Sequence, residues 1–266
     1  MRKVALLVVL VAIGLLSCTH QESKSESFGF EQRHYGVFEA PVWLQNIPKG
    51  DFAIGIAWDD ASFSSGAIDI AKEFAAVSLS RNRGSFVVDK SIVTAISEQQ
   101  ALDWNQVGYN LVVSADTDFL RRAGRELKLI DKYSTGAYLI CLFGFGESAV
   151  SADRVAMSRQ NLPDWCNRED IAIQGDKLIS VASAQHATLM DAWSEAQEKA
   201  LRQIGKYRLQ KVMGRLTATQ SSQEKAIAIE TVTKSQSNRF VNAFVVPIRN
   251  NNTLSYKVYI CLGTNP

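Results

Sequence analysis

The sequence predicts an α+β fold: two tandem units of one pattern, each an antiparallel sheet with one main helix packed on it, set together as a pseudo-twofold pair. Three observations predict it. Landmarks recur in order: Pro41-Val42-Trp43 as Pro163-Asp164-Trp165, Ala67, Ala71 and Ala75 as Ala192, Ala196 and Ala200, and Ile140-Cys141-Leu142 as Ile260-Cys261-Leu262. The offsets are 122, 125 and 120 residues, so both order and spacing persist, as a duplicated unit requires. Within each copy the apolar period changes from helical to alternating, which places a helix before a set of strands. Finally, in the last strand of copy one Tyr138, Ile140 and Leu142 face one way and Leu139, Cys141 and Phe143 the other, so both faces are apolar. A sheet buried on both faces needs a second cover, and the other copy is the candidate.

The elements follow in order. Phe52 to Ala57 is a short apolar strand, matched by Leu178 to Ala182 in the second copy. The helix of copy one carries the stripe Ala67, Ile70, Ala71, Phe74, Ala75 and Leu79, the spacing of a buried face, with Gly84 as its stop. In copy two Thr188 with Asp191 forms an amino-terminal cap, the stripe is Leu189, Trp193, Ala196, Ala200 and Ile204, and Gly214 ends the helix. Residues 85–100 are expected as a strand, and 101–122 as a stretch with a short helix near its end. Glu126 to Tyr133, a turn at Ser134-Thr135-Gly136 and Ala137 to Phe143 make a hairpin. In copy two the strands are Ala226 to Val232, Val241 to Val246 and Leu254 to Leu262, with a turn at Asn250-Asn251-Asn252. Pro247 places the penultimate strand at a sheet edge or takes it out of the ladder there, because proline donates nothing to a ladder.

The amino end reads differently. Arg2 and Lys3 precede a 13-residue apolar run, Val4 to Leu16, too short for a spanning helix, which needs about 20 residues. It has the length of a signal-peptide core. The expected organisation is a signal peptide over 1–17, a lipid-anchored flexible tether over 18–40, the first unit over 41–146, a linker over 147–160 and the second unit over 161–266. The tether is polar, with Gln21 to Ser27 at its start, and lacks apolar periodicity. Removing residues 1–17 takes away two basic side chains and no acid, leaving 27 basic and 27 acidic ones. A neutral chain supplies no field for steering nucleic acid, so no nucleic-acid partner is expected.

Two resemblances refine the reading. Leu15-Leu16-Ser17-Cys18 resembles the bacterial lipobox, which implies lipidation at Cys18 and a membrane partner through that lipid. Thr19, where an Asp would imply the inner membrane, implies the outer membrane, with the folded part in the periplasm. Pro41/Trp43, Gly55/Ala57, Ala67/Ala71/Ala75, and Asp131-Lys132-Tyr133 leading into Tyr138-Leu139-Ile140 resemble the Lpp-twenty-type lipoproteins and the related amino-terminal domain of FlgT-like flagellar-ring proteins. The resemblance implies a dodecin-like α+β unit and an envelope location, and it carries over no catalytic residue. Copy two departs from the pattern: polar residues are inserted over Asn167 to Lys177, and Asp131 has no counterpart.

The search for chemistry returns little. His20 and His34 lie in the tether, and Cys166 with His186 is the one conceivable nucleophile and base, with no third group to orient the base. No Gly-x-Ser-x-Gly elbow, phosphate loop or zinc spacing occurs. Gly144 to Ser148 reads as linker, and Asp59-Asp60 as a loop or a helix cap. Trp43 and Trp165 anchor the start of each copy, while Trp58 and Trp104 are less tied to the repeat. Cys141, Cys166 and Cys261 are read as buried or partly buried free thiols, with one disulfide as the alternative. The expectation is therefore a non-enzymatic envelope module, with no catalytic, cofactor-binding or metal-ligating residues. It would bind other envelope proteins or itself. The alternative is a ligand-binding or hydrolytic lipoprotein with a pocket between the units.

Overall fold

Small side chains set the first layer. Strand β2 (Phe52–Trp58) alternates Ala53, Gly55 and Ala57 on one face with Ile54 and Ile56 on the other. Helix α2 (Ser64–Asn82) lies on the small-residue face, where Ala67, Ala71, Ala75 and Leu79 are buried against Leu139, Cys141 and Phe143. The computed structural model describes residues 37–59, 64–88, 111–146, 150–151, 153–216, 237–251 and 253–264, with the single positions 94, 98, 221, 224, 225 and 229.

Antiparallel strands β5 (Lys128–Ser134) and β6 (Tyr138–Gly144) complete this sheet in the order β2-β6-β5. Gly136, at φ 88°, makes the turn between them. Every residue of β6 is buried, as the two apolar faces require. Helix α3 (Thr117–Glu126) precedes β5, its first turn capped by the Asp116 carboxylate, which accepts from the Phe119 N–H at 2.9 Å.

The second sheet runs β10-β11-β9-β8 and is antiparallel throughout. Its strands are β8 (Ile171–Gln174), β9 (Lys177–His186), β10 (Arg239–Asn250) and β11 (Thr253–Thr264). Helix α4 (Leu189–Met213) packs on β9 and β11, with all five expected stripe residues buried. The Thr188 hydroxyl caps it by accepting from the Asp191 N–H at 3.1 Å, and Gly214 closes it. Pro247 sits in β10, an edge strand. The chain is thus an α+β protein of antiparallel sheets with helices packed on them.

Helix α4 has a second buried side, and it faces the first sheet. Phe86 of the short strand β3 (Ser85–Val87), which pairs with β4 (Val112–Ser114), lies over Gly205, where a Cβ would stand 3.1 Å from its ring. Ile54, Ile56, Tyr138, Ile140 and Leu142 share one core with α4 and the second sheet. The Tyr138 ring meets Tyr256 edge-on at 5.5 Å, and its hydroxyl accepts from the Leu189 N–H at 3.2 Å. The free face of the first sheet therefore does find its cover in the second half of the chain.

Several expectations change. Val37–Pro41, which spans the end of the expected tether and the first residue of the first unit, is strand β1, and Arg154–Ser158, inside the expected linker, is strand β7; the two pair along their whole lengths. A partner 117 residues away leaves no local signature of such a ribbon. Pro41 leads into the short helix α1 (Val42–Gln45), and Pro163 into a single 3-10 turn, Asp164–Asn167, at the matching place. Of the strand expected at 85–100, Ser85–Val87 forms, Thr94 is helical and Glu98 lies in a turn, and positions 89–93, 95–97, 99 and 100 lie outside the described residues. Of Ala226 to Val232 only Ile229 is described, buried and helical; the other positions lie outside the described residues. The insertion over Asn167 to Lys177 carries β8, turned back at Gly175 with φ 61°. Ile70, read as core, is 50 % exposed.

Candidate functional site

Helices α2 and α4 run close enough to leave an apolar groove of about 260 Å³ between them. Ile70, Phe74 and Val77 of α2 form one wall and Met190 of α4 the other. This is the space between the two halves in which a pocket was conceivable. Its polar floor is already engaged. The Gln197 Nε2 donates to the Ser78 carbonyl at 2.7 Å and to Asn82 Oδ1 at 2.8 Å, while the Ser78 hydroxyl donates to Gln197 Oε1 at 2.8 Å. With those groups satisfied by one another, the groove offers a ligand apolar contact and little convergent polarity, unlike a typical small-molecule pocket.

Sheet edges are the other exposed features. Strand β5 presents Leu129, and it bulges between Leu129 and Asp131, a device that twists an edge away from pairing. Asp131 at the bulge accepts from the Trp43 indole N–H at 2.8 Å, fixing the start of α1 to the first sheet. Strand β8 is short and presents Ile173. Trp58 is 53 % exposed and stacks on Tyr138 with ring centroids 4.4 Å apart, so one face is core and the other open. Trp104 and Asp60 lie outside the described residues, as do Cys18, His20 and His34. The Asp59 carboxylate accepts from the Ser134 hydroxyl rather than capping α2.

Cys166 and His186 have no described contact. His186 is bound to Glu195 of α4 through Nε2, and Glu195 also holds Lys199 at 2.6 Å. Hydrogen bonds from Lys199 first and His186 second hold the Glu195 carboxyl below its ordinary value. Burial pushes the Cys141 and Cys261 thiols up to about 12. Burial, then the neighbouring Cys261, raises Cys166 as well. All three are buried and free, so none is a ready nucleophile. A thiol-reactive disulfide reagent should therefore label none of the three in the native protein and all three after denaturation. Fast labelling of any one in the native state would contradict the packing described.

Among the described residues no group of three His, Cys, Asp or Glu stands close enough to hold a metal ion, and no helix is long and apolar enough to cross a membrane. Comparison with protein-family models, with curated proteins and with solved structures finds no match to this chain.

Proposed function

We propose that this protein is a non-enzymatic cell-envelope lipoprotein, a structural or assembly module held at the periplasmic face of the outer membrane by lipid on Cys18. One observation carries the reading: a basic start, a 13-residue apolar run and a lipobox-like Leu15-Leu16-Ser17-Cys18 stand in register in the same segment. Each buried methylene of an acyl chain contributes about 0.8 kcal/mol and one chain holds only marginally, so the two or three chains of a lipobox cysteine make release very slow.

The finer fold reading supports a tandem origin for the folded part. In both halves the strand that leads into the main helix pairs with the last strand, and the last with the penultimate, β2-β6-β5 and β9-β11-β10. Gly55 stands opposite Cys141 in one half and Val181 opposite Cys261 in the other. Two dodecin-like copies over 41–146 and 161–266, as in the Lpp-twenty-type resemblance, account for this match. Strand β8 is then an addition to the second copy.

Cys18→Ser is the direct test. Labelled palmitate should enter the natural chain and fall to background in the variant, which should leave the outer-membrane fraction. Unchanged membrane association in the variant would sink the anchor. Crosslinking of intact envelopes followed by mass spectrometry then identifies what the anchored protein touches. A soluble ligand in the groove between α2 and α4 is the second reading, favoured by its apolar walls and opposed by its engaged floor.

A further inference from the structure

One stripe of α2, the wall it gives to the groove beside α4, stays open to solvent. Ile70 and Val77 are 50 % and 38 % exposed, and Phe74 is half-buried beside them. Through the stripe runs the ridge Glu73, Val77, Arg81, spaced four residues apart, the kind of ridge that seats in the groove of a second helix. Glu73 is exposed and Arg81 half-buried, and neither has an ion-pair partner among the described residues.

The ridge is self-complementary. A twofold axis through Val77 sets two α2 helices antiparallel and carries position 73 of one onto position 81 of the other. Glu73 of each copy then meets Arg81 of its mate, twice over, with Val77 against Val77 at the centre and Ile70 and Phe74 covered on either side. Residue i meeting j while j meets i is the condition for an isologous interface.

We propose that this face of α2 is where two copies of this chain meet. A stable interface buries about 1,200–2,000 Å². One helix pair covers less, so the association is weak between free molecules and is strengthened when both copies are confined to one surface. The proposal thus rests on the lipid-anchored reading above and names the partner in it.

The test uses the full chain in cells. Val77→Cys places a thiol on the axis, while the three described native thiols are buried. A short bismaleimide should then give an adduct of twice the chain mass in this variant and not in the natural chain. Glu73→Arg or Arg81→Glu added to Val77→Cys should lower its yield by about tenfold, because the axis doubles each like-charge contact. The double reversal, Glu73→Arg with Arg81→Glu, should restore it. Thermal unfolding of the reversals, compared with that of the natural chain, separates loss of contact from loss of fold. No doubled adduct, or one indifferent to the reversals, overturns the proposal. An adduct with a different protein also overturns it and leaves the assembly reading standing. Failure of the anchor is read separately, from Cys18→Ser fractionation.

Discussion

Gly55→Ala will lower the free energy of unfolding by about 3 kcal/mol, the upper end of the overpacking range, and Gly55→Val will abolish the cooperative transition. The reason is the approach of α2 to β2. A Cβ at Gly55 would stand 2.6 Å from Phe143 Cε2 and 2.8 Å from the Ala71 carbonyl carbon, with the carbonyl oxygen nearer still. A flexible side chain tip can move away; the backbone of a buried 19-residue helix cannot without pulling Ala67, Ala71 and Ala75 off the sheet together. The backbone conformation at Gly55 is ordinary, so space alone sets the effect. For 150–250 residues, each kcal/mol moves the midpoint by about 2–4 °C, so alanine should lower it by about 6–12 °C. Gly124→Ala is the control. Nothing lies within 4 Å of a Cβ there, and a glycine inside helix α3 costs about 0.5–1 kcal/mol relative to alanine. Urea unfolding should therefore show opposite signs at the two glycines. Equal effects would mean that the close approach is not what Gly55 serves.

The same geometry explains what the sequence shows and what it hides. Ala67, Ala71 and Ala75 are legible because a helix against a sheet repeats its contact every turn, and β6 because a strand buried on both faces has no polar alternation. Ile70 misleads because it falls at i+3 of that stripe, yet it lines the open groove beside α4 and stays half exposed. The ribbon β1–β7 is silent because five residues pair with a segment far along the chain. The groove between α2 and α4 is a property of two helices meeting, and no single window contains both walls. Thr188 and Gly214 show the opposite case, since caps are local chemistry and the expected residues perform them. Cys18 rests on its own segment, outside the described residues, which is why chemistry on the intact protein has to test it.

Gln197 is the residue the apolar pattern conceals most completely. It follows Ala196 and stands four residues after Trp193, at the margin of the apolar stripe, and it is 1 % exposed. It is buried because α4 is covered on two sides, by its own sheet and by α2 with Phe86. An amide suits the place because it donates and accepts at one site: Nε2 serves the Ser78 carbonyl and Asn82 Oδ1 while Oε1 receives the Ser78 hydroxyl. The Asn82 carbonyl in turn accepts from the backbone N–H of Asn238 at 3.1 Å, so the end of α2 is latched both to α4 and to the lead into β10. Gln197→Leu keeps the bulk and removes the three bonds that the amide makes. Each buried polar group left unpaired costs about 1–3 kcal/mol, so the variant should lose about 3 kcal/mol or more. Adding Ser78→Ala removes the orphaned hydroxyl, and replacing both partners by apolar groups approaches neutrality. The double variant should therefore be more stable than the sum of the two single losses predicts. Urea unfolding of all four proteins gives the coupling directly, and residues in one network reach about 0.5–3 kcal/mol. Additivity within about 0.5 kcal/mol would show that the two helices are held by packing alone, with the amide a passenger between them.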